Sequence, residues 1–280
     1  MTLKPQFSKS RWLAALAACT ILTAALLTGR FSLLSAQQDT DNATPGTNNE
    51  LLTQSDISKI RLWEITFPDS NPLQGTILDR EQTLRRFWTS VILKNPQYQD
   101  MNLTQDDYQS FISPNNFVNQ VSLMLDMGDA SYWDKIQITS DPQVMITFRA
   151  NIQPFVLQSC ATAGCHRDQG FRGFKLFGAG GSPNVAQTYT NFYILSTYIY
   201  GGQRLIDRDN PRNSLIIQYM LSPDVAMYTH PGKIGPITRS FDQNQIVQWI
   251  DTLRFPMQDY GINYQMPQEQ PQQQPAAGGQ

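Results

Sequence analysis

The chain has 280 residues, with 21 Lys and Arg against 23 Asp and Glu, and 16% of its residues are charged, where a soluble domain usually has about 25%. This near-neutral balance argues against a basic protein that binds nucleic acid. The hydrophobic content of 40% excludes disorder of the whole chain and suffices for two modest cores.

An apolar segment near the start predicts export. Residues 12–28 are apolar behind a basic start, and no acidic residue precedes residue 37. The pattern indicates a signal peptide or a membrane anchor over residues 1–36, and it favours cleavage. The remainder would carry 17 basic against 23 acidic residues, a net charge of −6. We therefore expect a periplasmic or otherwise extracytoplasmic protein, anchored to the membrane only if residues 12–28 are retained.

A linker and a small α+β domain are predicted next. Residues 37–54 are polar and without periodicity, which is typical of a flexible linker. The domain is expected over residues 55–141. Residues 60–67 have a strand-like composition, and we expect them to form a hairpin with the apolar pair at 77–78.

Helical periodicity dominates the rest of this first domain. Asp79 and Gln82 resemble a capping box ahead of an amphipathic helix that reaches residue 92. Thr104 marks the start of another helix. A third apolar stripe runs from Phe117 and ends at Gly128.

A second, loop-rich helical domain is predicted over residues 142–262. Its elements are a helix leading into Cys160, a glycine-rich loop, an aromatic helix, a helix opened by Ser214, and a last helix over residues 241–253. The tail, residues 263–280, is rich in Pro and Gln and is predicted to be disordered. The fold class is therefore mainly α, with a small α+β domain first.

The chemistry of the chain is concentrated in the string CATAGCH, which holds Cys160, Cys165 and His166. In c-type cytochromes two thiols attach the haem and the adjacent His ligates its iron. The usual gap between the cysteines is two residues, and here it is four. Ala161, Ala163 and Gly164 favour a bulge that accommodates the two additional residues.

Three alternatives remain open at this motif. Cys160 and Cys165 could form a disulfide in an oxidising compartment. Together with His166 and His230 they could bind zinc. A catalytic dithiol is a third alternative, although it usually has a shorter spacing.

The downstream sequence adds a family resemblance. The strings FVLQSCATAGCH, GFKLF, NPRNSLIIQYM and FDQNQIVQWIDTL resemble the single-haem cytochrome c domains of planctomycete-type bacteria, which are similar to class I cytochrome c. The resemblance covers about residues 142–254 and implies a cytochrome c-like haem domain with one covalently bound haem c. The four-residue gap departs from the family pattern.

The resemblance also places the second iron ligand in the loop after Met220. His230 lies in this loop and is, with His166, one of two histidines in the chain. We expect His166 and His230 to ligate the iron, with Met227 as the alternative to His230. Phe174 and Trp249 are expected haem contacts.

The leading hypothesis is an electron carrier rather than an enzyme, which passes electrons to a redox partner protein or a membrane electron-transfer complex. A haem enzyme or sensor would need an open sixth iron position. A structural or adaptor protein with a Cys160–Cys165 disulfide is the remaining alternative. The first domain shows no chemistry of its own.

Overall fold

Short helices form most of the described residues, and side chains that accept backbone N–H groups begin several of them. The computed structural model describes residues 51–67, 72–99, 101–162, 165–167, 174–231, 243–257 and 259–265. Thr53, Thr104 and Asn184 each form a reciprocal capping box, in which the cap and the third helical residue satisfy each other's backbone N–H. The predicted signal or anchor segment, most of the linker and nearly all of the tail lie outside the described residues.

The helices follow the chain in short segments. Their bounds are α1 Gln54–Trp63, α2 Arg80–Phe87, α3 Pro96–Gln99, α4 Gln105–Ile112, α5 Phe117–Met127, α6 Ala130–Trp133, α7 Gln143–Thr147, α8 Gln153–Ser159, α9 Val185–Thr197, α10 Leu215–Gln218 and α11 Gln243–Thr252. Two π-helical turns, Trp88–Ile92 and Phe148–Ile152, continue α2 and join α7 to α8. Single 3₁₀ turns cover Pro114–Asn116 and Pro211–Asn213.

Two small antiparallel sheets accompany the helices. β1 (Gly75–Ile77) pairs with β2 (Ile136–Ile138), and β3 (Ile199–Tyr200) pairs with β4 (Gln203–Arg204). The turn between β3 and β4 is Gly201-Gly202, and both residues have positive φ angles, of 58° and 80°. Glycine adopts these angles without steric cost, and they suit the tight turn of a two-residue hairpin. The fold is mainly α, as predicted.

The expected hairpin of residues 60–67 with 77–78 is wrong. The start of this segment belongs to α1, and β1 pairs instead with the distant β2. Ile57 and Ile60 are fully buried three residues apart, which is helical spacing. The capping box of Thr53 and Asp56 fixes the helix start.

The other predicted helices of this region are present. α5 ends at Gly128 and α4 begins after Thr104, as expected. Asp79 precedes α2, but its side chain makes no capping hydrogen bond. Its carboxylate pairs instead with Lys135 at 2.9 Å, so the expected capping box with Gln82 is wrong while the helix itself is confirmed.

Buried polar networks join the amino-terminal helix to distant parts of the chain. Arg61 on α1 donates to Asp141 Oδ1 at 2.7 Å, and the Tyr189 hydroxyl on α9 donates to the same oxygen at 2.9 Å. Arg149 adds a second ion pair to Asp141 at 2.9 Å. The amide of Leu52 also donates to the Thr190 hydroxyl at 2.9 Å. Together these contacts fix α1 against α9.

A second network is buried more deeply. Arg208 Nη1 lies 2.9 Å from Glu64 Oε1, and their side chains are 3% and 1% exposed. Tyr260 donates its hydroxyl hydrogen to Glu64 and accepts a hydrogen bond from Arg208 Nη2 at 2.9 Å. Arg208 also donates to the Arg254 carbonyl. Three segments far apart in sequence therefore meet at one carboxylate.

All described residues belong to one compact unit, Asn48–Gln280. The two-domain division at residues 141 and 142 stays a prediction, although both polar networks cross that position. Among the described residues, no helix has the length and the apolar character needed to cross a membrane.

Replacing Arg208 with Met should lower the free energy of unfolding by about 3–5 kcal/mol, because Glu64 is left buried without its cation. Urea denaturation followed by circular dichroism measures the loss. Arg85→Met is the matched control, since the paired side chains of Arg85 and Glu81 are 63% and 80% exposed, and such pairs contribute at most about 1 kcal/mol. Equal losses in both variants would contradict a stabilising role for the buried network.

Candidate functional site

A continuous helical segment leads into the CATAGCH motif. Residues 143–159 run through α7, the π-helical turn Phe148–Ile152 and α8. Cys160 ends the segment, with its amide donating to the Val156 carbonyl at 2.8 Å. The predicted helix before Cys160 is thus confirmed. Phe148 anchors it, since its ring stacks on Trp249 of α11 at 5.3 Å and meets Phe192 of α9 at 5.5 Å.

The backbone folds the motif back on itself after Cys160. The His166 amide donates to the Cys160 carbonyl at 3.1 Å, and the Cys165 amide donates to the Thr162 carbonyl at 3.0 Å. These bonds bring the first and last residues of the motif together. Residues 163–164, where a bulge is expected, lie outside the described part of the chain.

His166 is held by residues 174–176. Its Nδ1 atom lies 3.2 Å from the Phe174 carbonyl oxygen, and its ring stacks on the Phe174 ring with centroids 3.8 Å apart and planes 7° from parallel. The Leu176 amide also donates to the His166 carbonyl at 2.7 Å. A carbonyl acceptor at Nδ1 fixes the tautomer that carries its proton there. Nε2 is then the nitrogen with a lone pair to offer a metal.

The second histidine of the chain lies opposite the first. The rings of His166 and His230 have centroids 6.2 Å apart and planes that cross at 67°. They are separated by 64 positions in sequence, so the fold creates this proximity. His230 also contacts the ring of Tyr219 at a centroid distance of 4.9 Å. The structure thus brings together the two histidines that the sequence proposed as iron ligands.

The spacing of the two rings fits a shared metal ion. A bond of about 2 Å from a metal to each imidazole nitrogen, with about 1 Å from each nitrogen to its ring centre, places two opposed ring centres about 6 Å apart. The observed separation of 6.2 Å matches this requirement.

The protonation of His166 also suits a ligand. Burial lowers its pKa, and the positive charge that His230 can carry lowers it further, while the hydrogen bond to Phe174 opposes both effects. The result is a pKa below the usual value for histidine. A neutral imidazole is the form that binds metal.

The other predicted site residues fall in different places. The Met227 side chain is 62% exposed, and its amide donates to Gln218. Met220 is buried, as expected of a core residue. Trp249 is 2% exposed, and its indole donates to the Val144 carbonyl at 3.1 Å. These contacts place Trp249 in the packing between α11 and α7, whereas Phe174 is part of the site.

The sequence did not single out Tyr198 and Tyr219. Tyr198 meets the Phe174 ring edge to face at 4.7 Å, and Tyr219 meets His230. Burial, followed by the nearby Tyr200 and Tyr198 hydroxyls, raises the pKa of Tyr219 to about 12. An aromatic run flanking the motif signals such residues only weakly, because aromatic side chains in cores have the same pattern.

The alternatives for the cysteines can be compared with this geometry. Cys160 and Cys165 are both free thiols and both partly exposed, so the disulfide is not formed here. Within the described ranges, which include both cysteines and both histidines, no three His, Cys, Asp or Glu side chains are grouped to hold a metal ion. The four-ligand zinc set is therefore not assembled in this structure.

Comparison of the chain with protein families, with curated proteins and with solved structures yields no match. The resemblance to cytochrome c domains thus stays a prediction from its motifs. The functional argument depends on the site itself.

The Cys160 thiol should react slowly in the folded, haem-free protein. Burial and the neighbouring Cys165 raise its pKa to about 12, so the reactive thiolate is scarce at neutral pH and increases as the pH rises towards that value. Iodoacetamide labelling with peptide mapping, which separates Cys160 from Cys19 and Cys165, measures the rate. Labelling in urea is the control and should be fast. Equal rates in folded and unfolded protein would contradict a raised pKa of the Cys160 thiol.

Proposed function

We propose that this chain is an exported c-type cytochrome that carries one haem and transfers electrons. Cys160 and Cys165 would hold the haem, and His166 and His230 would ligate its iron. The observation that carries the proposal is the His166–His230 pair, 6.2 Å apart, directly beside a Cys-x4-Cys-His motif. Free thiols at both cysteine positions support it.

Attachment of the haem needs no oxidant or reductant. Each attachment would add the S–H bond of one cysteine across the C=C bond of a haem vinyl group, so that the sulfur would bond to one vinyl carbon and the thiol hydrogen would move to the other. The sulfur and vinyl carbons are thereby joined by a thioether. Cys160 and Cys165 are free thiols five positions apart in the chain, which suits two such attachments.

The geometry favours an electron carrier over a haem enzyme. When bound, haem supplies one-electron exchange between ferric and ferrous iron. His166 and His230 would occupy both axial positions, so that neither is left for a substrate. The Phe174 ring covers one face of His166, and the Tyr219 ring contacts His230, so aromatic surface covers part of each imidazole. Two nitrogen ligands give a lower potential than one nitrogen and one thioether sulfur, because sulfur favours ferrous iron.

His230 is preferred to Met227 as the second ligand for a geometric reason. The His230 ring already lies at the ligand spacing from His166, whereas the Met227 side chain is largely in solvent. A Met ligand would require residues 225–230 to rearrange. The proposal therefore specifies His/His ligation.

The remaining features of the chain are consistent with this role. The fold would consist of a small α+β unit followed by the cytochrome c-like haem domain. The apolar segment at residues 12–28 would direct export, as c-type cytochromes mature outside the cytoplasm, and would anchor the protein where it is not removed. The partner would be a redox protein or a membrane electron-transfer complex.

The first test is the spectrum of the protein produced in a host with haem-attachment machinery. We expect haem that stays bound after denaturation, with a mass increase of one haem per chain, and six-coordinate low-spin spectra in both oxidation states. Replacing either Cys160 or Cys165 with Ala should leave one thioether, and replacing both should leave none. A colourless protein whose mass is two hydrogens below that of the reduced chain would overturn the proposal in favour of a disulfide.

The second test concerns the axial ligand. His230→Ala should convert the low-spin spectrum to a high-spin, five-coordinate one, because it removes the sixth ligand. Met227→Leu, in the same loop, is the matched control and should leave the spectrum unchanged. The reverse result would identify Met227 as the ligand. A high-spin spectrum of the unaltered protein would point instead to a haem enzyme or sensor.

A further inference from the structure

We infer that Phe174 and Tyr219 are positioning residues that hold the planes of the His166 and His230 imidazoles in a steeply crossed arrangement. The inference rests on the proposed function, because it concerns the orientation of the two ligands toward the iron. It goes beyond ligand identity to the angle between the two ring planes, which would become the rotation of one ring relative to the other about the iron when both imidazoles bind it. The observation behind it is the 67° angle between the two rings.

Phe174 fixes His166 by two independent contacts. Its main-chain carbonyl meets Nδ1 at 3.2 Å, and its side chain stacks on the imidazole with planes only 7° apart. Rotation of the imidazole about the metal bond would drive its face into the Phe174 ring. The Phe174 ring is itself held, since Tyr198 meets it edge to face at 4.7 Å and the side chain is 7% exposed. The carbonyl alone permits rotation about the line through the two nitrogens, so the stack is what sets the plane.

Tyr219 restrains the plane of the His230 ring, and it does so by an edge contact rather than by stacking. The two rings are 4.9 Å apart and cross at 69°, so that the edge of one ring meets the face of the other. This arrangement is a preferred one for aromatic pairs. Tyr219 ends α10, and its amide donates to the Leu215 carbonyl at 2.9 Å. The position of its ring is therefore tied to a helix, while His230 lies in the following loop.

The crossing angle has a direct electronic consequence. An imidazole donates π density to the iron orbital that lies perpendicular to its own ring. Two parallel rings act on one orbital and split the pair of iron π orbitals, whereas two crossed rings act on both and keep them nearly equal in energy. Ferric iron with nearly equal π orbitals gives a strongly anisotropic electron paramagnetic resonance signal, with one dominant low-field feature. Parallel rings give a resolved three-line rhombic spectrum.

The test is the low-temperature electron paramagnetic resonance spectrum of the full-length ferric protein with haem attached. We expect the single, strongly anisotropic low-field signal. A three-line rhombic spectrum from a protein whose optical spectrum shows two His ligands would overturn the inference while leaving the proposed function intact. A protein without haem, or one with a sulfur-to-iron charge-transfer band from Met, would overturn both the inference and the ligand assignment on which it rests.

Two variants test the positioning roles. Phe174→Leu keeps the main-chain carbonyl but removes the stack, and Tyr219→Leu removes the edge contact. Each should keep a low-spin optical spectrum and lose the anisotropic signal in favour of a rhombic or heterogeneous one. Phe177→Leu is the matched control for Phe174, because both side chains are 7% exposed and Phe177 packs under Lys175. Tyr193→Leu is the control variant for Tyr219→Leu. Signals in Phe174→Leu and Tyr219→Leu that match their controls would overturn the inference.

Discussion

The contacts that residues 174–176 make with His166 are the constraint on which the rest of the site depends. One main-chain carbonyl meets the imidazole, one main-chain amide bonds the His166 carbonyl, and one ring covers the imidazole face. These contacts leave Nε2 as the nitrogen that can act outward. With His166 fixed, the distance from its ring to the His230 ring decides whether one metal can bind both, because a metal can join two rings only if both are held at the right separation.

The two ion networks, one at Asp141 and one at Glu64, hold in place the helices and the loop around these contacts. α9, which packs over the motif helix, is tied to α1 through Tyr189, Asp141 and Arg61. The loop that leads into α10 is tied to α1 and to the last segment through Arg208. Buried charges lose hydration, and they are tolerated only when paired with good geometry. Removal of a cation from either network would leave a carboxylate without its partner in a buried or partly buried position.

The helix before Cys160 and most of the other helices were predicted from the sequence, because they depend on local pattern. The helix before Cys160 and α5 both show apolar residues at helical spacing, and both are present. The strand predicted from residue 60 was wrong because isoleucine and tryptophan favour strands locally, whereas burial on one face of α1 decided the outcome. The Glu64–Arg208 pair was not predictable, since its partners are 144 positions apart. The contact between Tyr219 and His230 was not predictable either, because it depends on how the loop after α10 folds back.

The π-helical turn at Phe148–Ile152 has a consequence for how this chain tolerates changes in length. A π turn holds one more residue than an α turn, and each residue of an α-helix advances the side-chain direction by about 100°. Side chains after the π turn therefore point in a different direction from those of an uninterrupted α-helix of the same length. Loss of one residue there would regularise the hydrogen bonding but rotate Cys160 relative to Phe148. The direction in which Cys160 leaves the helix thus depends on the π turn.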